Sequence, residues 1–263
     1  MEQMELRYTA IIVLYNKKIE NSITCKCINK IAGININIII VDNSETDQKN
    51  ESACQNWGYQ YLSMNGNKGL SKAYNAAIDT IEADIVILFD DDTNVTAEYF
   101  RTLNDAVIEN PNIDIFAPIV YGQDGMIYSP NEFNFLKNHF ISSPDQAIDP
   151  NKFNAIASCL AIRMKVFKNY RFNELLFVDQ VDQYFFYEQR KLHRTFMKLD
   201  TIISQNFYQR GTKLTAENGW RRMKLRIKDI MRHAKLMGGI RYKVLGFIKC
   251  CGLSIQIGRK SRS

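Results

Sequence analysis

A chain of 263 residues, 46% hydrophobic and 24% charged, can bury a sizeable core as one large domain or two interlocked halves. No apolar run reaches the roughly 18 residues of a membrane span, and the six cysteines lack both zinc-site and disulfide-framework spacing, so these classes are set aside. The +6 net charge is unevenly spread: residues 220–263 carry thirteen Lys and Arg against the single acid Asp229, a local +12 that leaves −6 on residues 1–219.

The opening stretch MEQMELRY holds two Glu and reads as no secretory leader, so reduced thiols in the cytoplasm are expected. The first half then alternates strand and helix patterns. YTAIIVLYN (8–16) is a buried strand, 19–31 has helical apolar spacing, and ININIIIVD (34–42) is a second strand rich in β-branched residues. A short helix near 51–57 leads to YQYLSM (59–64), and GLSKAYNAAIDTI (69–81) predicts a helix with Leu70, Ala73, Ala77 and Ile81 near one face. DIVILFD (84–90) is the next strand, and a helix is expected from about 96 to 109. Such alternation predicts an α/β protein with a mainly parallel sheet covered by helices on both faces. From 113 onward the pattern loosens into short strands and loops punctuated by proline. NAIASCLAIRM (154–164) reads as a strand leading to a helix, 175–191 as acids beside aromatics entering a helix, and FMKLDTII (196–203) as a late strand.

In an open parallel sheet, ligands collect outside the carboxyl ends of the strands, and Asn16, Asp42 and Asp90 all fall there. IVILFDDDTNV (85–95) ends its apolar run on three carboxylates. Alternation puts Asp90 and Asp92 on one side and Asp91 on the other. Two like charges about 6.5 Å apart repel by roughly 2–3 kcal/mol at an effective dielectric near 20, which a shared proton or a divalent cation relieves.

VLYN (13–16), VDNSETD (41–47), NKGLSKAYN (67–75) and FDDDT (89–93), in that order and spacing, resemble the nucleotide-sugar half of the family 2 glycosyltransferases, over roughly residues 8–210. The similarity is greatest to the rhamnosyltransferase-like and hexosyltransferase branch that builds bacterial surface polysaccharides (O-antigen or capsule). It implies a GT-A fold, Rossmann-like, with a nucleotide-sugar half (1–115) and an acceptor half (116–210); the basic amphipathic tail (211–263) lies outside it. It also implies donor-binding roles for Tyr15, Asn16, Asp42, Asn67, Gly69, Asn75, Asp90 and Asp91. Asp42 is suited to accept from a pyrimidine N–H, or else caps its own turn with Ser44. Asn75 either bonds the donor or a neighbouring loop, and Tyr74 stands where the family often has Arg. Asp92, with Asp90, would hold Mn²⁺ or Mg²⁺, hard cations that oxygen ligands suit. LFVDQVDQYFFYEQR (176–190) resembles the branch's F-[IV]-D-x-V-D segment. That likeness implies a catalytic base at Asp182, with Asp179 as the alternative, although Tyr184 and Glu188 depart from the pattern. A late metal-binding His of some members has no counterpart around 204–207, and His193 reads as a surface or packing residue.

The tail has helical spacing through Met223, Ile227, Ile230 and Ala234, with basic residues around it. A basic amphipathic helix suits an anionic membrane surface, so peripheral attachment to the inner face of the cell membrane is expected, beside a lipid-linked oligosaccharide acceptor. The alternative is packing of this helix on the body. No nucleic-acid signature accompanies the charge, and no nucleic-acid partner is expected. Two other classes compete with a glycosyltransferase using a UDP- or dTDP-sugar. A haloacid-dehalogenase-like phosphatase also has D-x-D after a strand, but usually its first strand, and with Thr or Val where this chain has Asn94. The other is a non-enzymatic module binding membrane or nucleic acid.

Overall fold

The computed structural model describes residues 6–207 and 216–260. Strands β1 (Tyr8–Leu14), β2 (Ile36–Asp42), β3 (Gln60–Ser63) and β4 (Ile85–Phe89) are parallel neighbours in the order β3–β2–β1–β4. Helices α1 (Ile23–Lys30), α2 (Asn50–Trp57) and α3 (Leu70–Ile78) connect them. Their side chains divide by parity. Ile11, Ile39, Val86 and Leu88 pack with Ala73, Tyr74 and Ala77 of α3. Ala10, Ile12, Ile38, Ile40, Ile85 and Ile87 pack on the other face with Tyr99, Leu103 and Val107 of α4 (Ala97–Glu109). Both faces are dry, which is why these strands read as unbroken apolar runs.

The second half extends the sheet beyond β4. Strands β5 (Thr93–Asn94), β6 (Ile115–Gly122), β7 (Ile127–Ser129), β11 (Leu160–Arg163) and β12 (Phe196–Gln205) join it, in the order β4–β11–β6–β12–β5, with β7 alongside β6. Here the sheet departs from the expected parallel pattern: β11 runs antiparallel to both β4 and β6, while β12 is parallel to β6. An apolar run does not encode its direction, so only topology reveals this. Strands β8 (Asn131–Phe133), β9 (Asn138–Phe140) and β10 (Phe153–Asn154) form a small second sheet. Helix α5 (Val181–Lys191) precedes β12.

The basic tail forms two helices, α6 (Ala216–Met237) and α7 (Gly239–Lys260). The predicted stripe on α6 is partly sequestered: Ile230 and Ala234 are buried, as are Asp229 and His233 between and beside them. Helix α7 packs closely on α6, since a Cβ added at Gly246 would lie 2.9 Å from Ala234 Cβ. On α7, Ile240, Val244, Phe247 and Ile248 remain exposed. Among the described residues no helix is long and apolar enough to cross a membrane.

Candidate active site

The register pairs Leu14 with Asp42, Asp42 with Ser63, and Ile12 with Phe89. The carboxyl ends of β1, β2 and β4 therefore meet at one edge, where the chain order reverses around β1. Such a switch point opens a crevice. Strand β4 ends at Phe89, so the three carboxylates lie in the turn after it. Their side chains still diverge. Gln205 Nε2 donates to Asp90 Oδ2 at 3.0 Å and to Asp92 Oδ1 at 2.9 Å, while Asp91 turns away to an ion pair with Lys17 Nζ at 2.6 Å. Ser158 Oγ adds a 2.6 Å hydrogen bond to Asp90 Oδ2.

The carboxylate pair is electrostatically loaded. Burial pushes the Asp92 carboxyl up to about 7, and the Asp90 and Asp91 charges add to it. Burial also raises Asp90, against the Ser158 and Gln205 hydrogen bonds. These two oxygen donors suit a hard divalent cation. Among the described residues no group of three His, Cys, Asp or Glu could hold a metal by itself, so a cation here would need further oxygens from outside the protein.

Near Asp90 is the first turn of α5. Burial raises Asp182 to about 7, with the Asp90 charge the next cause, partly offset by a hydrogen bond from the Ala157 backbone N–H. One loop, 157–158, thus touches both Asp182 and Asp90. Tyr74 lies fully buried near both carboxylates, and among the described residues its hydroxyl has no hydrogen-bond partner. Asp179, the alternative base, is instead held by both guanidinium nitrogens of Arg222 from α6.

The segment before α5 hangs on Asp229. Its carboxylate accepts the backbone N–H groups of Phe177 (3.1 Å), Val178 (2.8 Å) and Asp179 (3.0 Å). Asp229→Ala strands three donors and is expected to cost about 3–5 kcal/mol, read as a lower thermal midpoint with faster amide exchange over 176–182; Asp229→Asn should recover part of the loss.

The other candidate residues divide between crevice and scaffold. Tyr15 and Asn16 stand at its rim, the Tyr15 hydroxyl donating to Glu45 at 3.1 Å and Asn16 Oδ1 accepting from Glu45 N at 2.9 Å. Asp42 is buried; Oδ1 caps the turn at Ser44 N (3.1 Å), and Oδ2 accepts from Asn50 (2.9 Å) and Tyr61 (3.3 Å). Asn67 Oδ1 accepts from Asn43 (3.1 Å) and Gly69 N (3.2 Å). Gly69 has φ +93°, and a Cβ there would sit 2.7 Å from the Phe177 ring, so its close approach is to the segment before α5. Asn75 bonds a neighbouring loop: Nδ2 donates to Phe172 O (2.9 Å), and Oδ1 accepts from Phe172 N (2.8 Å). His193 is exposed. Sequence reasoning missed Lys17, Ser158, Gln205, Arg222 and Asp229. Gln205 had a usable signal, since it closes an apolar strand in the window where the late His was sought.

A family model described as glycosyl transferase family 2 matches residues 9–171. The chain belongs to that family. The match ends before Asp179 and Asp182. Among solved structures, this chain shares its fold with S. aureus TarS 1-349 in complex with UDP-GlcNAc (18% identity, 86% of this chain and 67% of that one, TM-score 0.51). It is also similar to GalNAc-T7 with UDP, GalNAc and Mn²⁺ (12%, 93% and 54%, TM-score 0.61). A third is the mannosyltransferase PcManGT from Pyrobaculum calidifontis with GDP-Man and Mn²⁺ (15%, 93% and 69%, TM-score 0.57). The chain spans between 40% and 67% of the TarS chains it matches. At these identities the likeness establishes the GT-A fold. No curated protein sequence matches the chain.

Proposed function

We propose that this protein is an inverting, cation-dependent glycosyltransferase that moves a hexose or deoxyhexose from a UDP- or dTDP-sugar to a lipid-linked bacterial surface glycan. One observation carries the reading: Asp90 and Asp92 converge on Gln205 at the switch point, with Asp182, raised by burial and then by the Asp90 charge, close to Asp90. Asp92, with Asp90, would hold Mn²⁺ or Mg²⁺, which supplies charge neutralisation at a departing diphosphate. Lys17 is placed to add a positive charge at the same edge. Asp182 would take the proton of the acceptor hydroxyl, because a carboxylate with a pKa near neutrality is a competent base at physiological pH. Asp42 and Asn16 would line the nucleoside pocket. Solved neighbours carrying UDP-GlcNAc and GDP-Man support a nucleotide-sugar donor, and two with Mn²⁺ support a divalent cation.

The tail would place the enzyme at a membrane surface. Ile240, Val244 and Phe247 recur at helical spacing on the exposed side of α7, and Trp220 is exposed beneath the Lys224 ammonium at 5.2 Å. Aromatic and basic residues of this kind favour the headgroup layer. A thermal-shift panel of nucleotide sugars, with Mn²⁺ and with EDTA, tests the donor reading. One sugar nucleotide should raise the midpoint by several degrees only with cation; release of phosphate from simple monoesters with no sugar-nucleotide response would sink it. Sedimentation with phosphatidylglycerol vesicles reads the tail.

A further inference from the structure

A cavity of about 610 Å³ lies away from the carboxylates, between α5, the β8–β9 hairpin and the α6–α7 pair. Phe133, Phe135, Leu136, Met237, Tyr242 and Leu245 give it apolar walls. Its ionisable lining is basic: Arg190, Lys191, Arg241 and His233, with no Asp or Glu. Among the described residues none of the first three makes an ion pair with a carboxylate. Behind the wall, Lys249 Nζ lies 5.0 Å over the Phe133 ring and donates to Phe135 O (2.8 Å) and Gln180 Oε1 (3.0 Å).

Two groups beside the cavity feel both burial and neighbouring positive charge. Burial and then the Arg226 charge push Lys249 down to about 8. Burial, Lys249 and Arg190 push His233 down to about 3. His233 has no exposed surface; its Nδ1 lies 3.3 Å from Gln180 Oε1, and among the described residues Nε2 has no partner.

We infer that this cavity binds the diphosphate link and first isoprenoid-like units of a lipid-borne acceptor, the basic side chains taking the phosphates and the aromatic walls taking the chain. A multiply charged head fits Arg190, Lys191 and Arg241, cations with no carboxylate partner among the described residues, better than the single charge of a common phospholipid. The placement serves the chemistry. Gln180, which contacts both Lys249 and His233, immediately precedes α5, and Asp182 lies in the first turn of that helix. From Asp182 to Arg190 the helix rises about 12 Å, so a phosphate anchored at the far end leaves a short glycan reaching back to the base. Helix α7 separates two media: Arg241, Tyr242 and Leu245 line the cavity, whereas Ile240, Val244 and Phe247 on its other side are exposed, giving the lipid a route in from a membrane.

The inference rests on the lipid-linked acceptor proposed above, but its test needs no donor and no turnover. Farnesyl diphosphate is titrated into the full-length protein by calorimetry, beside inorganic pyrophosphate and dihexanoylphosphatidylglycerol. Saturable 1:1 binding is expected, at least tenfold tighter than either comparator. The exposed-residue variant Lys191→Glu/Arg241→Glu should weaken it at least tenfold, and Leu245→Trp, which fills the cavity, should do the same. Both variants should keep the wild-type thermal response to sugar nucleotide and Mn²⁺, which shows that the fold and donor site are intact. Absent binding, binding unchanged in both variants, or equal binding of pyrophosphate would overturn the site. Tighter binding of the phosphatidylglycerol would reassign it to bulk lipid and overturn the acceptor assignment. Failure here with an intact donor response would leave the glycosyltransferase reading standing.

Discussion

Asp182→Asn is expected to lower kcat for sugar transfer by on the order of 10²- to 10⁴-fold while leaving the affinity for donor and cation within a few fold. The amide preserves the shape of the side chain and its approach to the Ala157 N–H, but it cannot accept a proton from an incoming hydroxyl. The wild-type profile of kcat/KM should fall as pH drops below about 7, because burial and the Asp90 charge hold Asp182 near that value and only the ionised form is a base. A cation bound at Asp92 offsets the Asp90 charge, so the limb should shift to lower pH as cation is saturated. In the variant the limb should disappear. Added azide, which needs no deprotonation, should restore donor consumption. Asp179→Asn separates the two carboxylates. Asp179 is paired with Arg222 and only slightly exposed, so its loss should cost about 1–2 kcal/mol of stability with less than a tenfold effect on turnover. The opposite ranking would move the base to Asp179.

The strand-end part of this arrangement was legible because its physics is local. Buried parallel strands must be apolar on both faces, so polar residues that end such runs stand out, and Asn16, Asp42 and Asp90 do meet at the same edge. What alternation could not supply was the partner that holds Asp90 and Asp92 together. Gln205 reaches them from 113 and 115 residues away, through a β12–β5 pairing that depends on the mixed order of the second half. Ser158 likewise arrives across 68 residues. A lone Gln or Ser at a strand end carries no motif, and its role emerges only with topology.

The tail was less legible for a different reason. Its charge dominates its composition, and charge is a statement about solvent and partners, whereas attachment to the body depends on the few residues that are not basic. Asp229, the single acid in 220–263, is fully buried and takes three consecutive backbone N–H groups. An isolated acid in so basic a segment was the available signal. The hydrophobic stripe through Ile230 and Ala234 was visible in the spacing, but spacing alone does not say whether such a face meets lipid or protein. In the fold the answer is divided between the helices, α6 meeting the body and α7 keeping an exposed apolar side.

The second large effect is expected at Asp92, where protonation, cation binding and stability are one linked equilibrium. Asp92 titrates near 7 in the folded chain against an ordinary value of 3.8, and Asp90 and Asp182 are also raised. Between about pH 4 and 7 the folded state therefore keeps protons that the unfolded chain has released. The sign follows directly: without cation, stability should fall as pH rises through this window and level off above it. A cation binds the deprotonated carboxylates, so its binding releases protons and strengthens in the same direction. In EDTA the thermal midpoint should decline from pH 5 to 8, and Mn²⁺ with the correct sugar nucleotide should restore it most at the alkaline end. A ligand at 100 times its dissociation constant stabilises by about 2.7 kcal/mol, on the order of 5–10 °C for a chain of this size. Asp92→Asn should flatten the EDTA profile, because one raised carboxyl is gone, and should lose the cation-dependent part of the donor response together with turnover. If Asp92→Asn instead kept a full Mn²⁺-dependent shift, the cation would have to be held elsewhere, and the turn after β4 would be left with the donor alone.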